Sequence, residues 1–194
     1  MAISEKLILE PLAGFASREA ASFLTQMDDL SRRLQVDTRD LTPEALAWQP
    51  APGMNTMGML LAHNAIVEVW WTSLVLDDLE RDAVPMKGVL GIGVDDDGMP
   101  LPENGLPPAA LANRDLAFFD GLLDRARANL RRSAQALDDA GMERQVTRLA
   151  PDQRSRVINV RWTMYHMLEH YAGHYGQILM LKHLHRARKS SGAA

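Results

Sequence analysis

Four stretches of the chain carry the spacing of apolar residues that a helix needs, and two of them are apolar almost all round. Between Ala16 and about Leu34, apolar residues recur at Ala20, Phe23, Leu24, Met27, Leu30 and Leu34. That period of three and four predicts an amphipathic helix. Ser17 is its expected N-cap, Glu19 sits near the positive end of the dipole, and Arg32 and Arg33 fall in the expected last turn. A second helix is predicted from Asn55 or Thr56 to about Asp77, where Glu68 is the sole formal charge between Met57 and Leu76. A third spans roughly Asn113 to Asp139. Its stripe of Leu116, Phe119, Leu122, Leu123, Ala126, Leu130 and Leu137 lies opposite Arg125, Arg127, Arg131 and Arg132, which are expected in water. The fourth covers residues 160–184, where Glu169 is the sole formal charge between Trp162 and Leu181.

The segments between these stretches read as connections. Residues 1–15 hold Pro11 and Gly14 and form an extended lead-in. Thr42 as N-cap and Pro43 at the first helical position predict a short helix. Gln49-Pro50-Ala51-Pro52-Gly53 stops it, and Trp48 is expected to plug one end of the structure. Residues 79–108 are rich in glycine, proline and aspartate and read as a long solvated connection or lid. Its run Asp95-Asp96-Asp97 does not fit a calcium loop, because Gly93 takes the first ligand position and no closing glutamate follows. A turn at Ala140-Gly141 and a polar segment with Pro151 lead into the last helix. Together these predict an all-α fold: one domain over residues 1–194, a four-helix bundle with a long irregular connection between helices 2 and 3.

The last helix changes this picture from packing to chemistry. His166, His170 and His174 are spaced four apart on an otherwise apolar segment. At about 100° per residue the three rings drift only about 40° per step and form one stripe. Leaving a buried imidazole without a partner costs on the order of 1–3 kcal/mol, so something must meet that stripe. A lone ring would be met by a carbonyl or water, but three in line point to a metal ion. His166 and His174 lie about 12 Å apart along the axis and cannot share one ion from a straight helix. Either His166 with His170 or His170 with His174 forms the pair, and another helix supplies the third ligand. His63, on the second predicted helix, is the best candidate. Trp70, seven residues on, either walls that site or packs in the core.

A three-histidine set leaves positions open for water or substrate, as catalytic rather than structural metals require. Imidazole donors suit zinc or nickel, with iron as a further option. His170 is followed by tyrosine rather than glutamate, and neither Glu68 nor Glu169 has a histidine three residues later. Those facts exclude the zincin motif and a paired Glu-x-x-His di-iron site. Glu169 and Tyr171 are candidates for supporting or substrate-contacting roles.

Composition narrows the classes further. Hydrophobic residues make up 46% and charged residues 24%, and the net charge is −4. Nothing there signals nucleic acid or an anionic membrane, and the basic tail from Lys182 to Lys189 reads as the solvated end of the last helix. Cysteine is absent, so disulfides, thiolate-bound zinc and a cysteine nucleophile are excluded. Any thiol chemistry must use a thiol from outside. Met1 to Lys6 carries no export signal, and neither apolar window reads as a membrane span, so a cytoplasmic location is expected.

Two stretches, Trp48-Gln49-Pro50-Ala51-Pro52-Gly53-Met54-Asn55-Thr56-Met57-Gly58-Met59-Leu60-Leu61-Ala62-His63 and His170-x-x-x-His174-x-Gly176-Gln177-Ile178, resemble the DinB-like superfamily. The resemblance implies a four-helix bundle, frequently a homodimer, in which one histidine of the second helix and a pair on the last hold a divalent metal. Carried over, the ligands are His63, His170 and His174, with His166 an extra ring and the alternative ligand. It also implies activities such as thiol transferase, using bacillithiol or mycothiol, thiol-dependent isomerase, and hydrolase. The expected function is therefore a metal-dependent enzyme that activates a low-molecular-weight thiol, or water, against a small electrophilic substrate. The alternative is a non-catalytic metal-binding or ligand-sensing bundle.

Overall fold

The computed structural model describes residues 7–149 and 154–191; Met1 to Lys6 and Pro151 lie outside the described residues. Helix α1 (Arg18–Thr38) starts at Ser17, whose hydroxyl accepts from the Ala20 N–H. It runs a turn beyond Leu34, so Arg32 and Arg33 sit inside it and reach back to Asp29 rather than closing the last turn. Helix α2 (Pro43–Ala47) is capped by Thr42, and α3 (Met57–Trp71) by Thr56. A wider π-helical turn, Thr72–Leu76, carries α3 on toward Asp77.

After α4 (Met86–Leu90), the chain reaches α5 (Leu116–Gln135), where the Asp115 side chain accepts the otherwise free Phe118 N–H. In place of a turn at Ala140-Gly141 there is a short helix, α6 (Asp139–Glu143), because Asp138 caps it through the Gly141 N–H. Strands β1 (Gln145–Leu149) and β2 (Ser155–Asn159) pair antiparallel, with Val146 opposite Ile158, and both of these side chains are buried. The all-α expectation missed this hairpin, which leaves the chain mostly helical. Helix α7 (Val160–Ser191) follows directly from β2.

The apolar α3 lies between α5 and α7, and α1 packs on α7 and α5. Met57, Met59, Leu60 and Leu61 are buried together with Phe119, Tyr171 and Ile178; each such side chain contributes about 1.5–3 kcal/mol by leaving water. Gly58 is needed at the crossing, since a Cβ there would stand 2.8 Å from the Phe119 ring and 3.2 Å from the Leu46 carbonyl oxygen. The segment Met57–Leu76 is long and apolar enough to cross a membrane, but 78% of its apolar window is buried inside the protein. It is accounted for as a core helix.

Two charged regions differ from expectation. Arg127 is buried, not solvated: its guanidinium donates to both Glu68 carboxylate oxygens (2.8 and 3.1 Å) and to Asp28 (3.0 Å). Two of the tail cations are also engaged. Lys182 is buried and donates to Asp40 and to the Asp37 carbonyl, while Arg186 pairs with Asp40. Lys182 thus finds the Asp40 carboxylate just past the end of α1 instead of bulk water, while Arg186 pairs with the same carboxylate from an exposed position. Trp48 is half-buried against the same end of α7, with its ring 5.3 Å from that of His185.

Candidate metal centre

Helices α3 and α7 bring His63, His170 and His174 together. Ring centroids are 5.0 Å apart for His63 with either partner and 4.3 Å for His170 with His174. One ring nitrogen from each lies within 4.8 Å of the others. Nε2 of His170 and Nε2 of His174 are 3.1 Å apart. All three rings are half-buried, so the space they face remains reachable from solvent.

The other ring nitrogens decide what these donors present. Nδ1 of His63 donates to Oδ2 of Asp97 (2.7 Å), and Nδ1 of His174 donates to Oε1 of Gln177 (2.8 Å). With Nδ1 carrying the proton, Nε2 keeps its lone pair free for an ion. Burial, helped by the neighbouring His174, His63 and His166 rings, pulls the His170 pKa down to about 3. Burial lowers that of His174 as well, partly opposed by the Gln177 bond. Those two rings are therefore neutral at pH 7. With Nδ1 of His63 and of His174 committed to an acceptor, and with burial keeping His170 and His174 neutral, the residues present fit a divalent transition ion.

Asp97 is the participant that sequence reasoning missed. The 79–108 connection is not solvated throughout: it folds back so that Asp97 is 2% exposed. Its Oδ1 accepts the Met99 N–H, which fixes the carboxylate while Oδ2 holds His63. A run of three aspartates gave no signal as to which one turns inward.

The remaining candidates lie around the centre. His166 is stacked on Trp162 (4.8 Å, 8° between planes), meets Trp71 edge-on at 5.4 Å, and has its ring 5.8 Å from that of His170. Its Nδ1 bonds to Glu169 (3.1 Å), so Glu169 serves His166 on the exposed side of α7. Tyr171 is turned into the core, where the Arg127 guanidinium lies 5.8 Å from its ring. Trp70 faces Arg81 at 5.5 Å, and it is Trp71 that reaches a histidine. Tyr175 donates to Asp37, tying α7 to α1.

No curated protein matches the chain. The family model described as Mycothiol-S-transferase matches residues 22–187, a span that includes all three converging histidines and Asp97. This chain belongs to the mycothiol-S-transferase family, a member of the DinB-like superfamily that its histidine spacing resembles.

Proposed function

We infer that the chain is a single-domain, four-helix-bundle enzyme that binds a divalent metal through His63, His170 and His174. It uses that ion to transfer a low-molecular-weight thiol onto a small electrophile. The observation that carries the reading is the convergence of the three rings, two with their outer nitrogens already committed to Asp97 and Gln177. Family membership supports the thiol; the absence of cysteine means that it comes from outside.

A bound zinc, nickel or iron ion would supply Lewis acidity, lowering the pKa of a coordinating thiol so that it stays nucleophilic near neutral pH. The protein's own part is to aim the three donors and hold His63 and His174 in one tautomer. In the transfer, the thiol sulfur forms a bond to the electrophilic carbon, the leaving group departs with its electron pair, and the thiol proton passes to solvent. The half-buried rings favour this over a closed, non-catalytic metal store. A homodimeric state and a cytoplasmic location are part of the same reading and rest on likeness to the family.

The test is elemental analysis of protein purified without an affinity tag, combined with a screen of low-molecular-weight thiols against electrophiles. Near-stoichiometric metal and thiol-dependent consumption of an electrophile are expected. Re-adding zinc to metal-free protein should raise its melting temperature, and no shift at saturating zinc would sink the site.

Asp97→Asn is a sharper probe of the same geometry. An amide can present its NH2 to His63 and favour the opposite tautomer, and loss of such a carboxylate partner costs about 10–100-fold in metal affinity. Titration of metal-free protein with zinc should show that loss with helix content unchanged. Wild-type affinity would remove Asp97 from the centre.

A further inference from the structure

Helices α3 and α7 run antiparallel along a seam, and the histidine centre lies midway along it. At one end Trp71 meets Trp162 at 5.7 Å, beside a cavity of about 540 Å³ that Val157 and Asn159 also line. At the other end Leu60 of α3 and Leu181 of α7 line a second cavity, of about 300 Å³, together with Met54, Met180 and Gln177. We propose that this second cavity seats the apolar carbon portion of the electrophile, next to the reacting sulfur. This rests on the metal reading above and deepens it.

The lining makes the argument. Among the described residues no charged side chain borders the cavity, and Leu60 and Leu181 are buried in its floor. Met54 and Met180 stand 45% and 65% exposed at its mouth. Unbranched thioether side chains adapt to different guests, which suits a lip that must close over groups of varying shape. Gln177 borders the cavity and also holds Nδ1 of His174 through Oε1, so one side chain links the cavity wall to a ring of the centre. Leu60 precedes His63 by three residues, about 4.5 Å along the axis. A guest whose reactive carbon sits at the histidines therefore has its tail within reach of Leu60. The class of substrate is a neutral electrophile with a short apolar chain or ring, its leaving group turned away from Leu60. The volume is at the small end for ligand pockets.

Cobalt-loaded full-length protein provides the test. Ethanethiol is bound first, and inert analogues of the electrophile, the primary alcohols from ethanol to octanol, are titrated in, following their perturbation of the thiolate-to-cobalt absorption band, with cobalt content checked by elemental analysis. Affinity should rise by about fourfold per methylene, the fold-change equivalent of burying one CH2, and then level off when the cavity is full. Met180→Trp and Met54→Trp, both at exposed positions, should each flatten the series while cobalt content and ethanethiol affinity stay unchanged. Trp162→Ala, at the other end of the seam, should leave the slope intact. A slope that survives both methionine variants, or that only Trp162→Ala removes, overturns the proposal. So does a methionine variant whose main effect is on oligomeric state by light scattering, which would make this face a contact between copies of the chain. Cobalt uptake with a flat series overturns this inference alone, whereas no cobalt uptake overturns the metal reading beneath it.

Discussion

His63→Ala protein is expected to purify without its metal while keeping its helices. The two histidines that remain are neighbours on one helix, and they present only two neutral donors to an ion that needs at least three from the protein. Removing a ligand must cost more than removing a ligand's hydrogen-bond partner, so the loss in affinity should exceed about 100-fold. Folding should be spared, because the ring is half-buried and its removal opens no cavity in the core. His166 is poorly placed to substitute. Its ring is stacked on Trp162, meets Trp71 edge-on and is bonded to Glu169, so reaching the centre would break all three contacts. Elemental analysis and far-ultraviolet circular dichroism on the same sample decide the matter. Wild-type metal content in the variant would mean that His166 or another residue completes the set, and the proposed coordination would fail.

Much of this arrangement was legible because it is written in short-range periodicity. The four-residue step of His166, His170 and His174 fixes a stripe on α7 whatever the tertiary structure, and Ser17, Thr42 and Thr56 cap helices through residues three positions on. Which histidine pair converges with His63 was not legible from spacing; only the family resemblance pointed to His170 and His174. The pairing depends on the antiparallel register of α3 against α7, and two choices one turn apart look alike in sequence. Asp97 was hidden for a related reason. It acts on a residue 34 positions away from inside an irregular connection, where no period marks the inward-facing residue. The hairpin was overlooked because each strand has five residues and buries only one of them. Arg127 was misjudged as well, although a signal existed. Glu68, alone among charges on an apolar helix, had to find a cation, and arginines along α5 were the available partners.

That pair yields the largest expected loss of stability. Glu68 is 2% exposed on α3, and Arg127 meets it with two parallel bonds while a third nitrogen reaches Asp28. Burial by itself would disfavour the arginine's charge, but Glu68 beside it outweighs that and holds the Arg127 pKa above its ordinary value. Arg127→Leu leaves the Glu68 carboxylate buried with its main partner gone, a change that costs about 3–5 kcal/mol. The same substitution accompanied by Glu68→Leu removes both charges and should recover most of that loss, because the pair's attraction is largely spent against the desolvation of its two members. Urea unfolding of the wild type, the two single variants and the double variant measures the cycle. A large penalty in Arg127→Leu that the double variant relieves is the expected result. A penalty below about 1 kcal/mol in the single variant would show that water reaches the carboxylate. A double variant no more stable than Arg127→Leu would show that packing against Tyr171, rather than charge, is what Arg127 supplies. Because Glu68 and His63 share α3, zinc affinity measured on the same four proteins also reports whether the pair sets the height of that helix against α7. An unchanged affinity in the double variant would assign that register to apolar packing alone.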